Sequence, residues 1–173
     1  MKKIAAFLLL TLLPACALFS KYGEVEYNNL IVDHINNASL AIEKTATLYN
    51  ETLPEVVTEK DILDLTEMQA SASEARDLLA DTEKLFAFES RNTEQQSAVH
   101  AELQTYMEAG DLYLQSYSEM IDYYSTDAYK EDITQVKPID EILHTDYTTF
   151  IEANNDLVDI LESFVAEVSA SEI

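Results

Sequence analysis

Residues 99–124 read VHAELQTYMEAGDLYLQSYSEMIDYY, and their spacing decides the fold. Val99, Leu103, Tyr106, Gly110, Tyr113, Tyr117, Met120 and Tyr124 recur in alternating steps of four and three. A 3.5-residue repeat keeps all eight on one seam of an α-helix and turns that seam toward partners in a left-handed, coiled-coil-like winding. Met107, Leu114 and Ile121 make a second apolar row, wider than a two-stranded coiled coil needs and suited to a bundle. Asn92 or Thr93 can cap the start, with Gln95 or Gln96 at the third position, so a helix is expected over 93–124.

The same rhythm recurs on both sides. Over 138–170 it runs Leu143, Tyr147, Phe150, Asn154, Leu157, Leu161, Phe164 and Val168. Pro138 suits a first helical turn, and Asp140 and Glu141 suit its positive end. Over 59–89 it runs Leu65, Met68, Ala72, Ala75, Leu79, Thr82 and Phe86, with Thr58 as candidate cap and Asp61 as its acidic partner. Over 24–52 it runs Ile31, Ile35, Ala38, Ile42, Thr45 and Tyr49, and Pro54 disfavours helical geometry at Leu53. Four matched helices of about 45 Å joined by short turns predict an all-α, antiparallel, up-down-up-down four-helix bundle. The connection 125–137 is longer, and Ala128, Tyr129 and Ile133 predict a short extra helical turn or a cap over the bundle end. Counting outward from the turn between the second and third helices places Ala72 and Ala75 beside Gly110 and Tyr106. Asn154, interrupting an apolar seam, is expected to fix register.

Composition narrows the function. Aspartate and glutamate number 33 against 10 lysines and arginines, a net charge of −23. Such a surface repels nucleic acid and anionic headgroups and favours cationic partners. An apolar content of 47% argues against disorder. Two glycines cannot build a phosphate-cradling loop, and no G-x-S-x-G or calcium-loop pattern occurs. Glu141 and His144 form a single Glu-x-x-His, where di-metal bundles use two such pairs; His34 and His100 lack the glutamate. No catalytic residue, cofactor or metal site is therefore expected.

The chain opens Met1-Lys2-Lys3, continues with an apolar run from Ile4 to Leu13 and closes on Leu13-Pro14-Ala15-Cys16. This is the pattern of a secretory signal, too short to span a membrane. The ending resembles the lipobox of bacterial lipoproteins. The resemblance implies a signal peptide at 1–15, an acylated Cys16, a tether at 16–23 and a bundle domain at 24–173. Ala17, where an aspartate would imply inner-membrane retention, implies the outer membrane in a cell that has one. Cut after Ala17 instead, the same stretch is an ordinary signal of the A-x-A type, and the product is soluble and exported. Cys16 is the only cysteine, so no disulfide within the chain can support the fold.

The body is thus expected to bind rather than catalyse, as a non-catalytic binding or structural module of the cell envelope. Its partners would be the membrane, through Cys16, and an envelope protein or a cationic molecule. The alternative is a carrier or sensor that holds a small or cationic ligand in an inter-helix cleft lined by Tyr106, Gly110, Tyr113 and Tyr117.

Overall fold

The computed structural model describes residues 21–171, with side chains described through residue 164. The signal, Cys16 and most of the tether lie outside the described residues. The fold is all-helical: α1 (Glu24–Thr52), α2 (Thr66–Thr82), α3 (Thr93–Ser125), α4 (Ala128–Glu131) and α5 (Val136–Ser171). Short 3₁₀ turns occupy Glu83–Ala87 and Ile133–Gln135. The helix α3 lies along α5 and α1 along α2, while α2 also packs on α3 and α1 on α5. None of the described helices is long and apolar enough to cross a membrane.

Chemical stops set two of the helices where the sequence places them. In α1, Glu26 accepts from the Gly23 backbone N–H at 3.3 Å. At its far end Leu53 turns extended, at φ −89° and ψ 135°, as the following proline demands. In α3, Asn92 Oδ1 accepts from the backbone N–H groups of Glu94 and Gln95, each at 3.1 Å. It thereby satisfies two donors that a helix start leaves open.

The second helix is shorter than the expected 59–89. Thr58 and Asp61 do pair: the Asp61 carboxylate accepts from the Thr58 N–H at 2.6 Å and from its hydroxyl at 2.9 Å. The Asp61 N–H donates back to the Thr58 carbonyl at 3.1 Å. These bonds close a turn rather than open a helix. Beyond it Ile62 is 94% exposed, and Asp64 Oδ1 takes the Thr66 N–H and hydroxyl at 3.1 and 2.7 Å. Those bonds hold the Asp64 carboxyl below its ordinary pKa and delay the helix to Thr66.

The helix α2 also ends early. Past Thr82 the chain tightens to a five-residue 3₁₀ segment with three residues per turn, so Leu85 and not Phe86 falls on the buried seam. The expected pairing of Ala72 and Ala75 with Gly110 shifts for the same reason. Residues in 3₁₀ and extended geometry rise faster than α-helical ones, so fewer of them climb to a given level. Leu79 and Ile42 face Gly110: a methyl there would lie 2.8 Å from Leu79 Cδ2 and 3.4 Å from Ile42 Cδ1.

The long connection carries the expected extra turn. Asp127 takes a left-handed φ of 59°, which aspartate tolerates better than most residues. The helix α4 follows, with Tyr129 1% exposed and its hydroxyl donating to the Asp61 carbonyl at 2.6 Å. This ring ties the connection down against the segment between α1 and α2.

A polar knot joins the opposite end. Gln95 is fully buried. Its Nε2 donates to Asn28 Oδ1 at 2.7 Å and to the Glu24 carbonyl at 3.1 Å. Its Oε1 accepts from the Ser90 hydroxyl at 2.7 Å. Asn28 in turn donates to the Leu161 carbonyl at 2.6 Å, so α1, α3, α5 and the α2–α3 connection meet at one amide. Gln95→Leu would take a partner from the buried Asn28 and Ser90 side chains and from the half-buried Glu24 carbonyl, and the expected loss is about 1–3 kcal/mol. Chemical denaturation measures it; a loss under about 0.5 kcal/mol would mean the knot carries no stability.

Candidate functional site

The tyrosine seam of α3 is core. Tyr106 and Tyr117 are fully buried, Tyr113 is 1% exposed and Tyr124 2%. Buried phenols seek partners, and two find them on α1. The Tyr113 hydroxyl lies 2.8 Å from Thr45 Oγ1, which itself donates to the Ile42 carbonyl at 2.7 Å. The Tyr106 hydroxyl lies 2.9 Å from Ser39 Oγ, which donates to Asn154 Oδ1 at 2.8 Å. Asn154 thus bonds across to α1 through Ser39, the kind of contact that fixes register. Tyr117 and Tyr124 have buried hydroxyls with no hydrogen-bond partner among the described residues. Burial pushes the Tyr106 and Tyr117 hydroxyls up to about 12 and raises Tyr113 and Tyr124 further.

Of the four expected cleft residues, Tyr113 borders open space, from a direction that seam spacing does not reveal. A groove of about 370 Å³ lies between α1 and α5, lined by Ala46, Tyr49, Asn50, Tyr113, Asp140, Leu143, His144 and Tyr147. The Tyr113 and Tyr147 rings meet at 5.2 Å between centroids, inclined by 52°. Tyr49 donates a short hydrogen bond to Asp140 Oδ1. Burial first, then that bond and the carboxylate's charge, raise the Tyr49 pKa. Burial also raises Tyr147, helped by the negative charge of Glu43. A second hollow of about 340 Å³ shares Tyr49, Asn50 and Asp140 and extends to Leu53, Glu55, Val57 and Tyr124. Tyr106, Gly110 and Tyr117 line neither hollow.

Both signals for the groove are present in the sequence. Tyr49 and Tyr147 are seam residues, and Asp140 is an acid early in its helix. Their meeting depends on how α1 and α5 align, which spacing within one helix does not give.

The histidines remain apart. His34 Nδ1 bonds the Leu30 carbonyl of its own helix at 2.9 Å. His100 packs edge-on against Phe86 at 5.0 Å, and burial lowers its pKa. His144 borders the groove, while Glu141 lies 3.6 Å from Lys137. Among the described residues no three His, Cys, Asp or Glu side chains converge to hold a metal ion.

A larger and more apolar hollow of about 450 Å³ sits toward the other end, between Asn28, Val32 and Ile35 of α1 and Val158 and Leu161 of α5.

No family model, curated protein or solved structure matches this chain.

Proposed function

We propose that the chain is an exported, lipid-anchored protein of the cell envelope whose helical body acts by binding and not by catalysis. One observation carries this: the only cysteine stands at the close of a positively charged and then apolar start, in a lipobox-like Leu-x-Ala-Cys. More than one acyl chain on such a residue gives stable anchorage. The body would then stand on the outer face of the cytoplasmic membrane, or in the outer membrane of a cell that has one. The chain from Ala17 to Gly23 would reach at most about 25 Å from the anchor.

The finer architecture belongs to the same reading. Four long helices in an antiparallel up-down-up-down bundle account for the neighbours each helix keeps. They also account for the pairing of Tyr49 near the end of α1 with Asp140 near the start of α5. The acidic surface, at −23 overall, suits a cationic envelope partner. A second reading is a carrier or sensor for a small or cationic ligand. It is favoured by the tyrosine-lined groove, with Tyr113 as the expected residue that reaches it.

The anchor is tested by Cys16→Ser. The parent chain is expected to take up labelled fatty acid and to sediment with membranes, and the variant to lose both. A variant that stays in a detergent-extractable membrane fraction would overturn the lipoprotein reading. So would a parent chain cut after Ala17 and recovered free in solution.

A further inference from the structure

The helix α1 ends with no basic residue in its last turn, although carbonyls at a helix C-terminus favour a positive charge. Asp140 faces that turn. Its Oδ1 holds the Tyr49 hydroxyl; among the described residues no lysine or arginine pairs with the carboxylate. Around it stand the rings of Tyr49, Tyr113 and Tyr147, with Asn50 and His144 as the other polar side chains of the groove. In the adjoining hollow the Tyr124 hydroxyl is buried and has no hydrogen-bond partner among the described residues. A single carboxylate among mutually tilted phenol rings is poorly matched to magnesium or calcium, which take several oxygens. It is well matched to a cation whose charge is spread over carbon, which ring faces attract.

We propose that the groove between α1 and α5 binds a small organic ammonium ion, its methyl or methylene groups against Tyr49 and Tyr147 and its charge toward Asp140. The volume of about 370 Å³ lies within the range of small-molecule sites. This rests on the carrier or sensor reading, names its ligand class, and is independent of the anchor. A chain that lost membrane attachment would bind as well, and a firmly anchored chain that failed to bind would sink this proposal alone. The groove lies some twenty-five residues along α1 from the tether, about 35 Å at helical rise. That distance favours a ligand in solution over a headgroup of the membrane in which the protein is held.

The test is calorimetric titration of the full-length chain, in a non-ionic detergent, with choline chloride as the probe. One site per chain is expected, with no competition from ammonium chloride at the same concentration, because bare ammonium gains little from ring faces. Asp140→Asn keeps an acceptor for Tyr49 and removes the charge. Tyr147→Leu removes a ring and keeps apolar bulk. Each is expected to weaken choline binding about tenfold or more, with helix content checked by circular dichroism. Should Tyr147→Leu unfold, Asp140→Asn decides. The proposal fails if choline gives no saturable heat below about 10 mM, if ammonium competes equally, or if Asp140→Asn binds choline like the parent.

Discussion

Taking the protein from about pH 9 to about pH 11 is expected to remove about 4–5 kcal/mol of its stability. Tyr27, Tyr106 and Tyr117 are fully buried and their hydroxyls are pushed up to about 12 by burial. Tyr113 is raised further by the same cause. In the unfolded chain these groups ionise near the ordinary value of 10.0. Above that value the unfolded state releases protons that the folded state keeps, so stability falls as pH rises. The contribution is intact below pH 10 and shrinks until the folded values are reached. Each group removes up to about 1.4 kcal/mol per pH unit, so four together remove about 4–5 kcal/mol by about pH 11. That is comparable with the whole stability of a typical domain, about 5–15 kcal/mol. The chain's existing charge of −23 adds self-repulsion in the same direction. Tyrosinate absorbance and helical circular dichroism followed through one titration should change together. Tyrosines that finish titrating while the helices remain intact would show that the seam is open to solvent.

Leu157→Ala is expected to cost about 2–5 kcal/mol. Leu157 is fully buried on α5. The cost depends on whether neighbours can close the cavity, and here α5 is held on both sides of it. One turn earlier Asn154 is bonded by Ser39, and one turn later the Leu161 carbonyl is bonded by Asn28. Both partners sit on α1, so α5 cannot easily move inward, and the upper half of the range is expected. Chemical denaturation of parent and variant measures the difference. A loss below about 0.5 kcal/mol would mean that Leu157 does not lie in the packed seam.

The fold was readable where a residue imposes a local stop. Pro54 ends α1 and Asn92 starts α3, and neither depends on distant contacts. The start of α2 was not readable, because the Thr58–Asp61 pair has one local chemistry and two outcomes. In a helix-opening box the Thr58 hydroxyl accepts from the Asp61 N–H. Here it donates to the Asp61 carboxylate, the Asp61 N–H goes to the Thr58 carbonyl, and Asp64 takes the Thr66 N–H a few residues later. Leu85 replaced Phe86 because the backbone changed its period from 3.6 to 3 within an unbroken run of helix-forming residues. The tyrosine seam was legible as one helix face, while the groups its hydroxyls meet, Thr45 and, through Ser39, Asn154, lie on other helices. The groove was legible only in parts: Tyr49, Tyr147 and Asp140 each carried a signal, while their convergence is set by the alignment of α1 on α5, far apart in sequence.

The short pairing at the start of the described chain has a mechanical consequence. The Tyr22 N–H donates to the Glu89 carbonyl at 2.7 Å, and the Arg91 N–H donates to the Tyr22 carbonyl at 2.8 Å. Tension on the residues before Lys21 therefore does not act on the first turn of α1 alone. It is shared in parallel with the strap between α2 and α3, and both backbone bonds must give way before α1 can be peeled from its end. A chain pulled from the Lys21 side is expected to yield first at the Tyr22 pairing and not in the helix.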